Sequence, residues 1–79
     1  METAVSIRTT QREIRAMSVD LDVTNWPGEE VYELLRTDRK YTEVAYSTGV
    51  YGINAVVVRL ESGRLVKSTS RNTNTLILA

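Results

Sequence analysis

The 79-residue chain has no cysteine and no histidine. Without cysteine no disulfide can staple a domain of this size, and no thiolate can bind zinc or act as a nucleophile. Small secreted domains depend on such staples, so the expected setting is a reducing one and the expected localisation cytoplasmic. Without histidine the commonest general base and the commonest metal ligand are both missing. The expectation is therefore a protein that is not an enzyme, with no catalytic, cofactor-binding or metal-ligating residues. No apolar run approaches the about 18 residues that a membrane span needs. The opening METAVSIRTTQREI has no basic stretch followed by an apolar one, so neither a membrane segment nor a signal peptide is expected. There is also no internal repeat, low-complexity segment or linker, and the chain reads as one domain over residues 1–79. A domain this small buries about 60% of the surface its unfolded chain exposes. Its core is thin, and association with a second copy would help it.

What the chain does have is a segregation of charge. Residues 1–38 carry four basic and eight acidic side chains, a net of −4, and residues 39–79 carry six basic and two acidic ones, a net of +4. The total is zero, yet the halves are opposite in sign.

The acidic half reads as helical. In TTQREIRAM, Thr10 and Glu13 have the spacing of a capping box, in which each side chain satisfies a backbone N–H at the helix start. Ile14, Met17 and Leu21 follow at helical spacing, but Val19, Leu21 and Val23 alternate with Asp20 and Asp22. The expectation is a short helix over about 10–17 followed by a possible short strand over about 18–23. TNWPGEEVYELLR predicts a second helix of about ten residues. Thr24 or Asn25 is its expected cap, with Pro27 in the first turn, Glu29 and Glu30 at the positive end of the helix dipole and Arg36 near the other end. Val31, Leu34 and Leu35 form its apolar stripe.

From Tyr41 onward the pattern is β: KYTEVAYS, VYGINAVVVRLE, GRLVKSTS and TLILA read as four strands of a meander. Ser47-Thr48-Gly49 and Glu61-Ser62-Gly63 are the expected hairpin turns, with Gly63 at positive φ, and Gly52 is an expected bulge. Asn54 interrupts an apolar strand, so it needs a hydrogen-bonded setting. Ala55, Val56, Val57 and Val58 break alternation, which predicts a strand covered on both faces. The fold class expected is α+β: two short helices packed on one face of an antiparallel sheet of about four strands. The other face would then be covered by a second copy.

Candidate chemistry is sparse. DLDVTNWPGEEV has neither the central glycine nor the twelfth-position glutamate of a calcium loop, so its carboxylates read as solvated or dipole-pairing. GVYG lacks the Gly-Lys-Ser/Thr of a phosphate loop. Arg71 in STSRNT suits an anion, but turn chemistry alone explains that stretch. The one extended candidate is a basic, tyrosine-containing sheet face over residues 39–71, with Arg39, Lys40, Tyr46, Tyr51, Arg59, Arg64, Lys67 and Arg71 as its binding surface. The first functional expectation is a small non-enzymatic protein-interaction module, a homodimer through its sheet or its C-terminal edge strand. The alternative is nucleic-acid binding by the basic face, with phosphates met by cations and bases stacked on tyrosines.

Overall fold

The computed structural model describes residues 5–79. In chain order the elements are β1 (Ile7–Arg8), α1 (Gln11–Ala16), β2 (Leu21–Asp22), α2 (Gly28–Thr37), β3 (Lys40–Gly49), β4 (Gly52–Leu60), β5 (Leu65–Ser68) and α3 (Thr73–Leu78). The strands form one mixed sheet in the order β1-β3-β4-β5-β2. Strands β3, β4 and β5 are an antiparallel meander, and the two-residue strands β1 and β2 lie parallel along its outer edges. The fold is α+β as expected. The sheet, however, is mixed and five-stranded, not antiparallel with about four strands.

The hairpins follow from their glycines. Gly52 has φ 112° and Gly63 φ 94°, while among the described residues no non-glycine residue has positive φ. A positive-φ glycine closing a short loop lets an ordinary turn join strands of the right twist. Ser47-Thr48-Gly49 is not the turn. It belongs to β3, and the loop is Val50-Tyr51, with Gly49 paired to Gly52. Asn54 is an extra residue in β4, since Ser47 pairs with Ala55 and Thr48 with Ile53. Its side chain meets the buried Ser47 hydroxyl. An ideal Cβ on Gly49 would lie 2.8 Å from Asn54 Nδ2, so any side chain there requires the Asn54 amide to move.

The sheet separates two apolar clusters. On one face Val56, Val58, Leu60, Val66 and Val23 pack with Val31 and Leu35 of α2 and Leu76 of α3. On the other, Ala45, Ala55 and Val57 pack under Ile14 of α1. The valine run is thus covered on both sides, but by this chain's own helices. Two helices on one face of the sheet is corrected accordingly. The α1 segment connects β1 at one edge to β2 at the opposite edge, so the chain crosses one face of the sheet, and α2 and α3 cover the other.

The C-terminal residues form α3, not an edge strand. TLILA alternates well enough for a strand, but the slot beside β5 is occupied by β2, which pairs Leu21 with Val66 and Asp22 with Lys67. With no free edge there, the chain turns back over the sheet and buries Leu76 against the valines. Tertiary context overrides local pattern here. The turn is fixed by Asn72, 3% exposed, whose Nδ2 donates to Val23 O at 2.6 Å and to Trp26 O at 2.8 Å. Helix α1 begins at the expected cap: Thr10 Oγ1 accepts from Glu13 N at 3.1 Å, while the Glu13 carboxylate takes the Thr9 hydroxyl. Helix α2 begins at Pro27 without a side-chain cap. Thr24, an expected cap, instead hydrogen-bonds Asp22 and Thr69.

Candidate interaction surface

The eight residues of the expected basic face do not share one surface. Three of them serve the C-terminal ends of the three helices. Lys67, 7% exposed, donates from Nζ to Arg15 O at 2.7 Å and Met17 O at 2.9 Å, the last carbonyls of α1. Lys40 Nζ donates to Ile77 O in the last turn of α3 at 2.6 Å. Arg64 grips Asp38, the C-cap of α2, through Nε at 3.2 Å and Nη2 at 3.0 Å. Helix C-termini present unpaired carbonyls and the negative end of the dipole. Part of the charge segregation in the sequence is therefore spent inside the fold: basic residues of the second half close helices that begin in either half.

Of the remaining five, Tyr46 is half-buried against the core under α2 and α3. Arg39 and Arg59 are exposed at the end of the sheet where β3 starts and β4 finishes. Tyr51 and Arg71 are exposed at the opposite end, on the β3–β4 loop and beyond β5. Tyr41, 73% exposed, adjoins Arg39 and Arg59.

Asp38 carries a second duty. It is 7% exposed and accepts from the Ser62 backbone N–H at 3.0 Å, from the Ser62 hydroxyl and from Arg64. It thereby ties the end of α2 to the β4–β5 turn. The Ser62 hydroxyl, then the Ser62 amide and the Arg64 guanidinium, hold its carboxyl below the ordinary range, against the opposing pull of burial. A lowered folded-state pKa means that the stabilisation is present above the unfolded value of about 3.9 and is lost as pH falls through the folded value. Asp38→Asn is expected to be less stable than the parent at neutral pH, with the gap closing as pH falls from neutral to below the ordinary carboxylate range. Urea unfolding of both proteins across that range measures it, and a gap that stays constant with pH would contradict the latch.

The apolar surface lies elsewhere. Ile7, Ala16, Met17, Val44 and Ala45, with Thr9 and Glu13, line an open groove of about 440 Å³ between α1 and the β1–β3 edge. Its lining residue Ile7 is 65% exposed, and Val5, two residues earlier in the chain, is 78% exposed. A smaller cleft of about 330 Å³ runs between α2 and α3 past Tyr32, Leu35 and Leu78. At the β3–β4 tip, Val50 is 94% exposed and Tyr51 fully so. Sequence reasoning missed the groove because it is made by β1, a strand too short to produce a pattern, and by the face α1 happens to cover.

The sheet edges are poor places for strand addition. Each edge strand is two residues long. Where β1 leaves β3 uncovered, register shifts fall at Lys40/Thr42 and Glu43/Ala45. Short edge strands and bulges are devices that prevent edge-to-edge pairing. Among the described residues no group of three or more acidic side chains is placed to hold a metal ion, and no helix is long and apolar enough to cross a membrane. No protein-family model, curated protein or solved structure matches the chain.

Proposed function

We propose that this chain is a small non-enzymatic interaction module that self-associates through the flank formed by β1, α1 and β3. The observation that carries this reading is an open apolar groove whose lining residue Ile7 is itself 65% exposed. Exposed apolar surface that is contiguous and concave marks association sites, whereas scattered exposed residues do not. The contact is between side-chain surfaces. It uses neither the C-terminal residues, which are helical, nor backbone pairing at an edge that bulges disrupt. Nucleic-acid binding is the weaker reading, because Lys40, Arg64 and Lys67 are engaged within the fold and the exposed Arg39, Arg59 and Arg71 lie at two ends of the sheet.

Light scattering across concentration tests the proposal. A dimer with a dissociation constant of about 10⁻⁶–10⁻⁴ M is expected, insensitive to moderate salt. A protein monomeric at about 1 mM, which binds a mixed-sequence oligonucleotide with affinity falling steeply as salt rises, would replace this reading with the other.

A further inference from the structure

We infer that the α1–β1–β3 groove is a conditional site: α1 is a lid that opens on a sheet that stays folded, and self-association requires it closed. This rests on the self-association proposed above and adds its control.

The groove has two walls, and one of them is α1. Ile7, Thr9, Val44 and Ala45 belong to the β1–β3 side, while Glu13, Ala16 and Met17 belong to the helix and its C-cap. A strand pair alone is an open, pleated surface. Lifting α1 therefore abolishes the groove, and it also bares Ala55 and Val57.

The helix wall is held from outside the groove. Arg15 and Met17 give their carbonyls to the Lys67 ammonium on β5, at 2.7 and 2.9 Å. At the start of α1 the Gln11 side chain donates from Nε2 to Thr69 O, just beyond β5, at 2.7 Å. The apolar hold is one fully buried residue, Ile14, set among Ala45, Ala55 and Val57. The carbonyls taken by Lys67 bracket Ala16, and Met17 itself lines the groove. Lys67 and Ile14 thus fix the position of the wall without lining the groove.

Nothing within α1 replaces these anchors. Six residues are too few for a helix to persist alone. The backbone is extended at Thr10 and again at Met17, so the helix joins its neighbours through non-helical chain on both sides. The opposite face of the sheet is independent of it: α2 and α3 pack on the larger cluster, which contains no residue of α1. Segments with few buried apolar contacts open at lower free energy than the core they cover. Opening and association are then linked, because only closed copies can associate. Both copies present this flank, so the apparent dissociation constant rises as the inverse square of the closed fraction; a lid closed about one third of the time weakens association about ninefold.

Two substitutions open the lid at different contacts without touching the groove lining: Lys67→Met and Ile14→Ala. Amide exchange at Ile14 and Met17, measured on dilute, monomeric protein against unfolded-chain rates, gives the open fraction, and exchange at Val31 and Leu76 reports on the other face. Light scattering across concentration gives the apparent dissociation constant of each protein. In both variants exchange at Ile14 and Met17 should quicken toward unfolded-chain rates while Val31 and Leu76 stay protected, and association should weaken along the inverse-square relation. Exchange at α1 as slow as in the parent, or protection lost equally on both faces, would overturn the lid. An open lid with the parent's dissociation constant would overturn the coupling while leaving self-association standing. A parent that never dimerises would overturn both.

Discussion

Replacing Val57 with aspartate is expected to leave the protein largely unfolded. Val57 is fully buried, packed with Ile14, Ala45 and Ala55 beneath α1. Lys67, its neighbour in register on β5, already has its ammonium on the α1 carbonyls. An uncompensated buried charge costs about 3–5 kcal/mol, and a domain of this size has total stability near the low end of about 5–15 kcal/mol. Arg59→Asp provides the control. It changes a residue on the same strand, two positions on and facing the same side, but exposed and beyond the cover of α1. That substitution should stay within about 0.5 kcal/mol of the parent. Thermal unfolding followed by circular dichroism measures both. If Val57→Asp were as harmless as Arg59→Asp, α1 would not be lying over this face in solution.

The contrast shows which parts of the fold were legible. The β4–β5 hairpin could be read because glycine at positive φ is a local necessity, marked at Gly63; the β3–β4 hairpin was expected too, but with its turn at Ser47-Thr48-Gly49 and Gly52 as a bulge, whereas Gly52 closes the loop opposite Gly49. The start of α1 could be read because the Thr10 hydroxyl accepts from the Glu13 backbone N–H within one turn. That the valine run would be covered on both faces also followed from its lack of alternation. Which segment would cover the second face did not follow, because α1 has one fully buried residue, Ile14, and six residues display no decisive stripe. The strand β1 was invisible for a related reason: two residues cannot show a period of two. Strand β2 lies inside the short strand expected over about 18–23, but only Leu21 and Asp22 pair with β5. For α3 the local pattern pointed the wrong way. Leu76, Ile77 and Leu78 are compatible with strand or helix, and occupancy of the β5 edge by β2 decides between them. The candidate site suffered most. Composition counts a lysine as surface charge, whereas its role depends on which carbonyls lie within reach.

Lys67 turns that point into a measurement. Read from the sequence, Lys67 and Arg71 look alike: two cations in a polar strand end, both removable without harm to folding. In the structure they should behave differently. Arg71 is exposed, and Arg71→Ala should change stability by less than about 0.5 kcal/mol. Lys67 is buried, with its ammonium on two carbonyls at the end of a six-residue helix that cannot persist without its anchors. Lys67→Met keeps the aliphatic stem and deletes the charge. Hydrogen bonds involving a charged group contribute about 1.5–3 kcal/mol. Because Arg15 O and Met17 O are only part-buried, water can take up some of the loss, so a destabilisation of about 2 kcal/mol is expected. The distribution of the effect is as diagnostic as its size. Amide exchange should quicken first around Ile14 and Met17, where α1 lifts from the sheet, while the opposite face around Val31 and Leu76 keeps its protection until global unfolding. Equal effects of Lys67→Met and Arg71→Ala, or exchange that quickens uniformly, would mean that the ammonium does not hold α1 down.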